Sequence, residues 1–132
     1  MTAANSTPIV LIVEDQAPMR AAIRDFLAQS FPAWQVLEAA DGATALSVFT
    51  GHRPPLVLMD VGLPDTNGIE LTRRIKTLAP ETAVVVMSIQ NSAHIVEQAL
   101  AAGAAVFISK DRIFTELAPL IARLRLLPDN SQ

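Results

Sequence analysis

Apolar residues gather in five short runs, Ile9–Val13, Trp34–Leu37, Leu56–Met59, Ala83–Met87 and Ala105–Ile108. They recur roughly every 22–27 residues, with a stretch of helical period between each pair, the pattern of strands buried on both faces of a parallel sheet. In the first intervening stretch Met19, Ile23 and Phe26/Leu27 fall on one helical face, leaving Arg20, Arg24 and Asp25 for the solvent. The second starts at Asp41, a good N-cap, buries Leu46 and Phe49, and stops at Gly51 and Pro54–Pro55. Leu71, Ile75 and Leu78 mark the third, which ends at Pro80. Asn91 or Ser92 caps the fourth, with Val96 and Leu100 inward and Gly103 as its stop. Leu117, Ile121 and Leu124 mark the fifth. The expected architecture is α/β, a (βα)5 three-layer sandwich around one sheet.

At 132 residues the chain fits one such domain. The expected division is a disordered leader at 1–8, the domain at 9–127, and a tail or the start of a linker at 128–132. No apolar run approaches the ~18–20 residues of a membrane span, and the N-terminus lacks the basic start and apolar stretch of a secretory signal, so the expected compartment is the cytoplasm. The absence of Cys removes disulfide and thiolate-metal chemistry. A formal charge of -3 and a pI near 5.2 offer no basic footprint for nucleic acid.

In open α/β sheets ligands bind beyond the carboxyl ends of the strands. That edge carries Glu14 and Asp15 after the first run, Asp60 after the third, Ser88 after the fourth and Lys110 after the fifth. If those strands are neighbours, carboxylates converge there. Packed carboxylates repel unless a cation shares them, and an all-oxygen ligand set suits Mg²⁺ or Mn²⁺. Singly, each residue has a plainer role. Asp15 would most readily cap the following helix, Ser88 would satisfy a backbone group, and Lys110 would be solvated. Asp60 is a poor cap, because the loop holding Gly62, Pro64 and Gly68 delays the next helix. His52 and His94 lack partners at metal-ligand spacing and read as surface residues, and Trp34 as partial core. No G-x-G-x-x-G follows the first strand, no G-x-x-x-x-G-K-[ST] loop occurs, and no G-x-S-x-G surrounds Ser88. Nucleotide binding and a hydrolase triad are therefore not expected.

VEDQ, LMDVGLPDTNG, MS and FISKD, in this order and spacing, resemble the receiver domains of two-component response regulators over about Ile9 to Leu126. The resemblance implies the doubly wound, flavodoxin-like sheet of order 2-1-3-4-5. It makes Asp60 the phosphorylated aspartate, with Asp15 a direct ligand of Mg²⁺ (or Mn²⁺) and Glu14 a ligand acting through water. The Gly62 carbonyl would be a further ligand, and Ser88 and Lys110 would grip the phosphoryl oxygens. Phe107 matches the aromatic switch position, an exposed ring that would turn inward when Ser88 moves toward the phosphoryl group. The phosphodonor would be a sensor histidine kinase. The altered face, the fourth helix, fifth strand and fifth helix, would receive a partner or a second receiver in a homodimer.

Four residues depart from the commonest pattern. Glu14 stands for Asp, Ser88 for Thr, Phe107 for Tyr, and Asp111 rather than Pro follows Lys110. The Lys-Asp ending after AAGAAVF resembles the NarL/LuxR-type transcription regulators, whose helix-turn-helix DNA-binding domain would lie outside this chain. Two rival functions remain. A haloacid-dehalogenase-like aspartyl phosphatase would place a second Asp two residues after the nucleophile, where this chain has Gly62. A receiver-like module could instead bind proteins independently of phosphorylation.

Overall fold

The computed structural model describes residues 7–124. Most of the expected leader, the tail at 128–132 and residues 125–127 of the expected domain lie outside that range. The elements alternate strictly: β1 (Ile9–Val13), α1 (Ala17–Ser30), β2 (Gln35–Ala39), α2 (Gly42–His52), β3 (Leu56–Asp60), α3 (Gly68–Leu78), β4 (Ala83–Ser88), α4 (Ala93–Ala101), β5 (Val106–Ser109) and α5 (Ile113–Leu124). A 3-10 turn, Lys110–Arg112, joins the last two. All strand pairings are parallel and the sheet order is β2-β1-β3-β4-β5, as the resemblance implied.

Because successive strand residues point to opposite faces, each apolar run supplies two cores. Leu11, Val13, Val57, Met59, Val84 and Val86 pack with residues of α2, α3 and α4. Val10, Ile12, Leu56, Leu58, Val85 and Met87 pack with α1 and α5. Asp41, Asn67 and Ser92 cap α2, α3 and α4 by accepting from the amides of Thr44, Ile69 and Ile95. Gly103, at φ 107°, follows α4 in the left-handed conformation that glycine adopts without strain.

Several sequence expectations shift. β2 runs from Gln35 to Ala39, and Trp34 precedes it, buried rather than partly so. β5 begins at Val106 and not at Ala105. Leu78 and Leu100, expected inward, are about half exposed, and Ala79 and Ala99 occupy the sheet-facing positions beside them. Helical period allows either neighbour, and the smaller side chain lets the helix backbone sit closer to the sheet.

Candidate functional site

β1, β3, β4 and β5 are parallel neighbours, so their carboxyl ends share one edge. β1 runs into Glu14 and Asp15, β3 ends in Asp60, β4 in Ser88, and Lys110 follows β5. Carboxylate oxygens of Glu14, Asp15 and Asp60 lie within 4.8 Å of one another. Glu14 is fully buried, Asp60 is 4% exposed and Asp15 is half-buried. Asp15 and Asp60 border a shallow cleft of about 320 Å³, whose walls also include Gly62, Ser88, Gln90 and Lys110, and Glu14 lies buried beneath. A larger groove of about 610 Å³ between α2 and α3 holds none of these converging acids.

Lys110 Nζ sits 2.7 Å from Glu14 Oε1 and 3.2 Å from Asp60 Oδ1. The Glu14 contact is close but not directed as a hydrogen bond, so buried Oε1 keeps an unmade hydrogen bond. Glu14 Oε2 accepts from the Gln16 amide at 3.0 Å. Burial pushes the Asp60 carboxyl up to about 6 and the negative charge of Glu14 adds to the rise, while Lys110 and the Gly62 amide hold it back. Burial pulls the Lys110 ammonium down, but the two carboxylates outweigh it and its pKa is raised. Lys110 is therefore charged at neutral pH, and its partner Asp60 gives up its proton with difficulty. Ser88 is buried, and its Oγ accepts from the Gln90 amide at 3.0 Å.

Asp15 does not cap α1. Gln16 holds the cap position without a side-chain hydrogen bond, which leaves the Asp15 carboxylate to the cleft. Arg20 does not face solvent as expected. It turns back so that Nη1 donates to the Glu14 carbonyl at 2.8 Å and Nε to Glu38 at 3.2 Å. Helical period placed it outside, and only the nearness of β2 shows what it reaches. Gly68 was legible as a loop glycine, yet its role is contact: a Cβ there would lie 1.9 Å from the Asp60 carbonyl oxygen. No local sequence signal marks Asp65. Its carboxylate accepts from the Gly42 and Ala43 amides at 2.7 and 3.0 Å, which lowers its pKa and ties the loop after β3 to the start of α2. His52 and His94 are exposed and away from the acids, as expected.

Comparison with known proteins decides the family. The sequence pattern of the response regulator receiver domain matches residues 10–122. The chain belongs to the response regulator receiver family. It is 35% identical over 102 residues to the chemotaxis protein CheY of Bacillus subtilis, covering 76% of this chain and 83% of that protein. It is 37% identical over 101 residues to the transcriptional activator protein ExaE of Pseudomonas putida, covering 76% of this chain and 47% of that protein. The chain thus spans about half the length of that relative. A LuxR-family two-component response regulator from Aurantimonas sp. SI85-9A1 superposes with a TM-score of 0.81 at 29% identity, covering 91% of this chain and 86% of that one.

Receiver domains are parts of two-component response regulators, and they bind Mg²⁺ through acidic residues of the kind gathered here. The donor set fits such an ion. It is all oxygen, the buried Glu14 Oε1 has only the undirected Lys110 contact, and three carboxylates face one ammonium, an imbalance that a divalent cation would neutralise. Phe107 pairs in register with Val86 on β4 and packs on the α4 side of the sheet. Its ring is already half-buried, so the exposed starting position expected from sequence is corrected. Among the described residues no helix is long and apolar enough to cross a membrane.

Proposed function

We propose that this receiver accepts a phosphoryl group on Asp60 and passes the event to its α4–β5–α5 face. The reading rests on the meeting of the Glu14, Asp15 and Asp60 carboxylates at one edge, with Lys110 against two of them. An Asp60 oxygen attacks phosphorus in line, and the bond to the donor, a phosphohistidine of a sensor kinase, breaks with its electron pair leaving on the imidazole. Phosphoryl transfer spreads negative charge over the equatorial oxygens, so positioned cations and donors contribute most. Lys110 would shift from Glu14 and Asp60 toward those oxygens, and the Ser88 hydroxyl would turn to donate to them. Glu14, Asp15, Asp60 and the Gly62 carbonyl would hold Mg²⁺, which when bound would neutralise charge between the carboxylates and the incoming group. Burial first, and then the negative charge of Glu14, raise the pKa of Asp60, and such an ion would relieve both.

The similarity to ExaE and to a LuxR-family regulator supports transcription as the output, through a DNA-binding domain of NarL/LuxR type beyond this chain. The domain's own charge of -3 argues against direct contact with DNA. Gly62 in place of a second Asp argues against a phosphatase acting on external substrates. The deciding experiment is intact-mass spectrometry after incubation with acetyl phosphate and Mg²⁺. One added phosphoryl group is expected, absent without metal and absent in Asp60→Asn. An unchanged adduct in that variant would move the phosphoacceptor elsewhere. No adduct with metal present would favour the phosphorylation-independent binding module.

A further inference from the structure

Glu14 and Asp15 are consecutive, yet both carboxylates reach the same cluster. In an extended strand they would point to opposite faces of the sheet, so the main chain must turn between them. The last ladder bond of β1 on the β2 side is made by the Glu14 amide to the Ala39 carbonyl, at 3.0 Å. The Glu14 carbonyl accepts instead from Arg20 Nη1 at 2.8 Å. The same guanidinium is aimed by Glu38 on β2, whose carboxylate accepts from Nε at 3.2 Å. Arg24 reaches the other Glu38 oxygen at 3.5 Å but makes no hydrogen bond to Glu14. On the far side of the turn the Gln16 amide closes back on Glu14 Oε2. The turn is thus held at both ends, and Arg20 ties it to β2 and α1.

We infer that Arg20 is a positioning residue for the acidic pair, and that the Glu38–Arg20–Glu14 carbonyl chain sets how well Glu14 and Asp15 take a divalent cation. The planar fork of an arginine can hold a carboxylate and a carbonyl at once in fixed geometry, which a lysine cannot. Partners behind metal ligands typically set affinity by about 10–100-fold. The inference rests on the proposed cation site, and it makes a prediction whose sign opposes simple charge. Removing a nearby arginine should tighten cation binding if only its charge matters. Loss of positioning should weaken it.

The test is Mn²⁺ and Mg²⁺ titration of the whole chain, with hydrogen exchange of the Gln16 amide in the metal-free protein. Arg20→Gln is expected to bind either ion about tenfold more weakly than wild type and to exchange the Gln16 amide faster. Arg24→Gln, which shares Glu38 but not Glu14, is expected to match wild type in both. Arg20→Lys keeps the charge and gives up the fork, so weaker binding there supports the inference even if Arg20→Gln fails to fold. Unchanged or tighter binding in folded Arg20→Gln, unchanged binding in Arg20→Lys, or equal losses in the Arg20→Gln and Arg24→Gln proteins would each overturn it. If wild type binds no ion, the site reading itself fails. If wild type binds and Asp15→Asn does not, that reading stands and Arg20 alone is being judged.

Discussion

Asp60 is the side chain whose environment changes its chemistry most. Its folded pKa of about 6 lies above the ordinary value of 3.8. Folding therefore favours its protonated form: the associated stability is fully present below about pH 4 and is lost as pH rises through about 6. At pH 7.5 the metal-free wild type should accordingly be less stable than Asp60→Asn by about 1–2 kcal/mol, after allowance for solvent at the cleft mouth. The gap should close toward pH 4, and urea melts at both pH values check it. Lys110 predicts the opposite. It is the cation against buried Glu14, so Lys110→Met should cost about 3 kcal/mol in metal-free buffer. Millimolar Mg²⁺ should return part of that loss, and a denaturation midpoint that ignores both changes would remove the pair from the account. Strand-end position made these acids and the lysine readable as residues. The braces around them were not readable, since Arg20 reaches the Glu14 carbonyl 6 positions away and Asp65 reaches the Gly42 amide 23 positions away.

At the scale of elements, boundaries followed from local chemistry and facings did not. Asp41 and Ser92 were legible as caps because an Asx or Ser ahead of a helix serves the free amides whatever the tertiary structure. Asp41→Ala should therefore cost only about 1 kcal/mol and leave phosphorylation intact. Gly68→Ala, one position into α3, should behave differently. Its added methyl meets the Asp60 backbone, so the start of α3 or the end of β3 must move. A loss of about 2–3 kcal/mol is expected, together with slower phosphorylation by acetyl phosphate, and full activity in that variant would show that the loop yields freely. The alanines at 79 and 99 show the limit of periodicity. Hydrophobicity ranks Leu78 and Leu100 above them, whereas the space between helix and sheet selects the smaller residue.

For the molecule as a whole, the central question is how far an event at Asp60 travels. Phe107 is half-buried at rest, so turning it fully inward gains less than about 1.5 kcal/mol, below the value for a ring moved out of water entirely. The switch should be a population shift of less than about tenfold rather than an all-or-none change. NMR with beryllofluoride should show modest shifts running from Ser88 through Phe107 into α5, lost in Ser88→Ala. Shifts confined to the loops around Asp60 would sever the proposed coupling. The order of strands and helices, the chemical types at the strand ends and the caps of α2 and α4 were determined by the sequence by itself, because they depend on period and on neighbours a few residues away. The parallel sheet alone decided that Glu14, Asp15, Asp60 and Lys110 meet, that Arg20 turns inward, and which of two adjacent residues faces the core. Those outcomes depend on distances between segments far apart in the chain, which no local pattern encodes.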